Sequence, residues 1–126
     1  MSNTAIHTDK APAAIGPYSQ AIQAAGTIYV SGQLPIDPAT GAFAGNDITS
    51  QTRQSLTNMK NILEAAGTDM SAVVKTTVLL ADIGDFAAMN AVYAEFFSAP
   101  YPARAAFQVA CLPKNALVEI ECVAVK

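Results

Sequence analysis

Charge is what this chain has least of. Asp, Glu, Lys and Arg together supply 13% of its 126 residues, about half the share of an ordinary domain. So little charge leaves much apolar and small-residue surface, and in a soluble protein such surface usually meets another subunit. A homo-oligomer is expected on that ground. Basic residues are the scarcer sign. Lys10, Arg53, Lys60, Lys75, Arg104, Lys114 and Lys126 are scattered, the net charge is −3 and the pI is about 4.8. Nucleic-acid binders draw most of their affinity from a basic stripe, so no nucleic-acid partner is expected.

Histidine is nearly absent: His7 stands alone near the N-terminus. A metal site built on imidazole is not expected, and neither is a Ser–His triad. The two cysteines, Cys111 and Cys122, form no metal-type pair and no disulfide framework. They are expected as packed thiols of a reducing cytoplasm. No apolar run approaches the ~20 residues of a membrane span, and the first residues lack the basic start and apolar stretch of a secretory leader. The expectation is a cytoplasmic protein off the membrane. GxGxxG, Walker, GxSxG and HExxH motifs are all missing. Neither cofactor nor metal is expected, so an enzyme built on this chain would work with arginine, glutamate, backbone amides and water.

What is present reads as one domain, residues 1–126. An extended lead-in runs to about Pro12, and Gly16-Pro17 is turn chemistry. Residues 19–24 and 27–33 read as a hairpin around Ala25-Gly26. Residues 35–45 read as a surface loop. Asp47 or Thr49 can cap a helix to about Ala66, with Leu56, Met59, Ile62, Leu63 and Ala66 on one face and Gly67 closing it. Residues 73–81 read as a strand. Asp85 can cap a second helix carrying Phe86, Met89, Val92, Tyr93 and Phe96, which Pro100 and Pro102 stop. Strands over 103–109 and 117–125 finish the chain. The order β-β-α-β-α-β-β predicts an α+β layer: one mixed sheet with both helices on one face. The other face needs a cover, which oligomerisation would provide.

Side chains alternate along a strand. Val118, Ile120, Cys122 and Ala124 fall on one side of the last strand, expected under the helices. Leu117, Glu119, Glu121, Val123 and Val125 fall on the other. In the preceding strand Ala105, Phe107 and Val109 read as the core set, against Arg104, Ala106 and Gln108. In the second strand Ile28 and Val30 oppose Tyr29, Ser31 and Gln33. In the third Val74, Thr76, Val78 and Leu80 oppose Val73, Lys75, Thr77 and Leu79. The expected open face thus gathers Ser31, Gln33, Lys75, Arg104, Gln108, Glu119 and Glu121 around a polar pocket. A charge in such an apolar setting is costly unless it is paired or has a task. Arg104 with a glutamate is either a cross-strand ion pair or the fork of a carboxylate-binding site.

Several segments together resemble one family. They are Ala11 through Gln20, Val30-Ser31-Gly32-Gln33-Leu34-Pro35, Gln51 through Gly67, Val74 through Val78, and Phe86 through Phe97. The most specific is Pro102-Ala103-Arg104 leading to Leu112-Pro113 and Val118-Glu119-Ile120-Glu121. The chain resembles the Rid family of reactive intermediate deaminases, also called YjgF, and within it the RidA branch. The resemblance implies a chorismate-mutase-like α+β fold and a homotrimer with clefts between subunits. It implies hydrolysis of 2-imino acids such as 2-iminobutanoate and 2-iminopropanoate, released by pyridoxal-phosphate enzymes such as threonine dehydratase, to 2-oxo acids and ammonia. Arg104 matches the arginine that holds the substrate carboxylate, and Glu119 the glutamate that orients or activates water. Tyr18, Ser31, Gly32 and Asn90 match positions lining the cleft. Many relatives carry a cysteine where this chain has Ala106, so thiol reactivity does not transfer. The other readings are a trimeric 2-oxo-acid-binding module without turnover, a ribonuclease or translation inhibitor, and, on fold analogy alone, a chorismate mutase.

Overall fold

The computed structural model describes residues 2–126. Six strands form one sheet: β1 (Thr4–Ile6), β2 (Ala21–Ala24), β3 (Thr27–Gln33), β4 (Val73–Leu80), β5 (Ala103–Gln108) and β6 (Val118–Val125). Their spatial order is β1-β2-β3-β6-β4-β5. Helices α1 (Ile48–Ala65) and α2 (Phe86–Phe96) join β3 to β4 and β4 to β5. Only β4 and β5 run parallel, because α2 carries the chain back along the sheet between them. The lead-in holds more order than its sequence implies. Its residues 4–6 pair with β2, and the buried Gln20 side chain takes the Thr8 N–H at 2.8 Å and donates to the Thr8, Ala11 and Pro12 carbonyls.

Helix α1 starts where its caps dictate. The Asp47 carboxylate accepts the Ser50 N–H at 3.0 Å, and its hydrogen bonds with Ser50 hold its pKa below the usual carboxylate value. Gly67 supplies the left-handed residue, φ 85°, that closes the helix,. Leu56, Met59, Ile62 and Leu63 are fully buried against the sheet. Helix α2 departs from expectation at its start. Asp85 occupies the cap position but makes no side-chain bond. Asp82 instead accepts the Gly84 N–H at 2.8 Å and opens a 3₁₀ turn, Ile83–Asp85, that runs straight into α2. Asp85 is then already in a turn conformation, without the extended backbone a capping side chain prefers,.

Three strand faces also differ from simple alternation. Between Val30 and Gln33, three steps on β3 match two on β6, from Cys122 to Ile120. The extra residue is a β-bulge, and it turns Gln33 inward, where it is buried. A second bulge between Val73 and Lys75 of β4 puts Val73 in the core and Val74 outside. In β5 the expected faces are exchanged. Its register sets Arg104 beside Thr76 and Ala106 beside Val78, both core residues of β4. Arg104, Ala106 and Gln108 therefore face the helices. Phe107 lies on the open face, 47% exposed. β6 follows expectation, with Val118, Ile120, Cys122 and Ala124 buried beneath the helices.

Candidate functional site

The exchange of faces in β5 separates the two residues with the strongest chemical signature. Arg104 projects toward α2, and Glu119, opposite Leu79 on β6, projects to the open face. Within one protomer they stand on opposite sides of the sheet. The cross-strand ion pair left open by the sequence does not form: among the described residues the salt bridges are His7–Asp9 and Arg53–Glu95.

The Arg104 side is built by α2. Phe86, Asn90 and Tyr93 follow one another at helical spacing on a single face. Asn90 Oδ1 accepts from Arg104 Nη1 at 2.7 Å. The guanidinium carbon lies 4.7 Å from the Tyr93 ring centre and 5.4 Å from that of Phe86. A cleft of about 460 Å³ opens beside it, lined by Asn90, Tyr93, Ala94, Tyr101, Pro102 and Arg104. Arg104 is exposed at the sheet edge, where its sequence had suggested a buried strand position. The neighbouring Tyr101 is 62% exposed.

The Glu119 side is built by the β3 bulge. Gly32 sits in that bulge, and a Cβ there would stand 2.9 Å from Glu119 Cδ and closer still to one carboxylate oxygen. Glycine at 32 is thus a condition for Glu119 to lie over the strand. Burial raises the Glu119 pKa, and the charge of Glu121 raises it further. A group whose native pKa exceeds its unfolded value binds its proton first in the native state. Its charge is therefore a cost to folding at neutral pH, relieved as pH falls through the native pKa. Cys122, on the opposite face of β6, is pushed up to about 12 by burial and by Glu121, so it is no nucleophile. Cys111, expected to be packed, is exposed.

A groove of about 310 Å³ runs past Gly32, lined among others by Pro12, Ile15, Tyr18, Leu34 and Lys114. Tyr18 is 54% exposed and Ile15 85%. The Ser31 hydroxyl donates to the Ser19 carbonyl at 2.6 Å, and the Ser31 N–H to the Gln20 carbonyl at 2.9 Å. These bonds fix the segment that presents Tyr18. Gln33, read as part of the polar pocket, is turned inward by the bulge and is buried, yet it still lines this groove. Gln108 is withdrawn by the β5 register and accepts the Ile83 N–H at 2.9 Å. Sequence pattern did not point to Lys114, which holds a left-handed backbone, φ 58°, at the groove.

The six candidate residues thus fall into two sets. Arg104 and Asn90 form one; Tyr18, Ser31, Gly32 and Glu119 form the other. The first can hold a carboxylate, and the second can hold water and move a proton.

Known proteins share this fold and much of this sequence. Residues 8–126 match the family described as Endoribonuclease L-PSP. A RutC family protein of Sinorhizobium fredii is 59% identical over 118 residues, 94% of each chain. A 2-iminobutanoate/2-iminopropanoate deaminase of Capra hircus is 57% identical over 121 residues, 96% of this chain and 88% of that one. The crystal structure of RidA from the Antarctic bacterium Psychrobacter superposes with a TM-score of 0.94 at 49% identity, covering 98% of this chain and 99% of that one. With the same fold, and identity above one half to named relatives along nearly its whole length, this chain belongs to the Endoribonuclease L-PSP family, the Rid or YjgF family its sequence resembles.

Proposed function

We propose that this protein hydrolyses 2-imino acids, 2-iminobutanoate and 2-iminopropanoate among them, to 2-oxo acids and ammonia. In this reading it works as a homotrimer in the cytoplasm, without metal or cofactor. Each catalytic cleft forms where the Arg104 side of one protomer meets the Glu119 side of the next. The observation that carries the reading is an arginine whose described neighbours are all neutral. Asn90, Phe86, Tyr93, Tyr101 and Pro102 surround it, and no described carboxylate pairs with it. One N–H goes to Asn90, and the rest of the fork is free for a substrate carboxylate. Exposed Ile15, Tyr18, Tyr101 and Phe107 supply the apolar surface that subunit contact would cover,. Relatives at more than half identity bear the name of this deaminase.

The imino acid docks its carboxylate on Arg104. Water held by Glu119 adds its oxygen to C2. One water proton passes through the Glu119 carboxyl to the imine nitrogen, which gives a carbinolamine. The hydroxyl proton then follows the same route, the C–N bond breaks, ammonia leaves and the 2-oxo acid remains. A carboxyl whose pKa is raised by burial suits both halves of this shuttle, since it takes a proton more readily than an ordinary carboxylate and can still return it,. Such proton transfer contributes roughly 10²–10⁴-fold. That is adequate for a substrate that already hydrolyses readily in water.

The family description names an endoribonuclease. A net charge of −3 and scattered basic residues do not favour an RNA substrate. The deciding experiment generates the imine from threonine with a threonine dehydratase and follows 2-oxobutanoate and ammonia. Wild type accelerates their release. Arg104→Ala loses about 10²–10³-fold in kcat/KM, as expected for removing a charge-assisted fork, while keeping its oligomeric state. Full activity in Arg104→Ala would remove the carboxylate clamp. Binding of 2-oxobutanoate by wild type with no acceleration would establish the binding-module reading instead.

A further inference from the structure

We infer that Phe86 and Tyr93 are positioning residues: they form an aromatic cradle that presets the Arg104 guanidinium for the substrate carboxylate. The inference rests on the carboxylate-binding role proposed for Arg104 and adds what holds that side chain in place. An exposed arginine has many rotamers, and ordering it only when substrate arrives costs affinity. An acidic partner would order it in advance but would compete for its N–H edge. Aromatic faces hold the cation through the plane of the guanidinium and leave that edge free. The structure shows this second solution, with ring centres at 4.7 and 5.4 Å and one neutral acceptor, Asn90.

The cradle is itself anchored. The Tyr93 hydroxyl meets Thr76 Oγ1 at 2.8 Å, in a buried contact. The Phe97 ring lies 4.5 Å from that of Tyr93, centre to centre. Thr76 is the β4 residue in register with Arg104. The chain therefore closes a circuit: β5 offers the guanidinium, α2 offers the rings, and β4 pins the buried ring beneath the strand neighbour of the arginine. Phe86 is half-buried at the start of α2, so it can be truncated without opening the core centre. Tyr93 is buried and less tolerant.

The test measures the Kd of 2-oxobutanoate by calorimetry, with KM and kcat from the dehydratase-coupled assay. Phe86→Leu should raise Kd and KM about three- to tenfold, as loss of one cation–π contact predicts, with kcat within about twofold of wild type. Phe86→Tyr should restore both. Tyr93→Phe keeps the ring and loses its tie to Thr76. It should raise Kd about two- to threefold, the scale of one neutral hydrogen bond acting through a neighbour, and it decides the matter if Phe86→Leu does not fold. Unchanged Kd in the folded variants, alongside inactive Arg104→Ala, overturns the cradle and leaves the clamp intact. Unchanged Kd and activity in Arg104→Ala as well would bring down the clamp on which the cradle rests.

Discussion

The two sides of the sheet hold opposite charges by opposite means. Arg104 stands exposed at an edge strand, over aromatic faces, with its charge unneutralised. Glu119 stands half-buried on a central strand, over a glycine, with a second carboxylate two residues away. A guanidinium is weakly hydrated and keeps its proton everywhere, so burial would add nothing to its task. A carboxyl that must give and take a proton gains from partial burial, because desolvation moves its pKa toward the working pH. In the proposed trimer each side supplies half of a site, and each half can be removed separately.

The largest effect beyond Arg104→Ala should come from Glu119→Gln. Turnover in the dehydratase-coupled assay should fall roughly 10²–10⁴-fold, while calorimetry still detects 2-oxobutanoate. Unimpaired turnover would take Glu119 out of the proton path. Mixing comes next. Arg104→Ala and Glu119→Gln protomers, unfolded together and reassembled in equal amounts, should recover about a quarter of wild-type activity if each cleft draws one residue from each of two neighbours in a closed ring. A site contained within one protomer recovers none.

Gly32→Ala should separate site from fold. The three atoms nearest the added methyl all belong to the Glu119 side chain, which can swing away. Stability in urea should then change by no more than about 1 kcal/mol, while kcat falls tenfold or more, on the order of a misplaced catalytic group. Equal activity in Gly32→Ala would mean that Glu119 need not lie over the bulge. The smallest effect belongs to Glu121→Gln. The Glu121 charge raises the Glu119 pKa, so its removal should shift the acid limb of the kcat/KM profile to lower pH. A limb that stays in place would assign it to another group.

Much of this was legible along the chain. Asp47, the Leu56–Met59–Ile62–Leu63 stripe and Gly67 announced α1, because caps and helical spacing are local. The alternation of Val118 through Val125 announced β6 and placed both glutamates on its open face. Arg104 and Glu119 were also recognisable as candidates, because they are charges in apolar strands, whereas Tyr18, Ser31, Gly32 and Asn90 stood out only through the family resemblance. The side of the sheet each would occupy was not recognisable. In β5, Ala-Arg-Ala-Ala-Phe-Gln is too rich in alanine for period two to name a core face, and Phe107 drew the wrong assignment. In β3, nothing in Val30-Ser31-Gly32-Gln33 announces one extra residue against β6. The cradle was visible only as an apolar stripe on α2, since Phe86 and Tyr93 read as ordinary packing residues.

Local order is therefore written in the residues themselves. Spacing, caps and turn chemistry act over a few positions, and they settle which segments are strand or helix. Which groups meet depends on register. Register is set by pairing between strands far apart in sequence, by the parallel return of β5 after α2, and by a bulge whose extra residue reverses the alternation. One residue of shift carries a side chain to the opposite face, so the separation of Arg104 from Glu119 belongs to the assembled sheet alone.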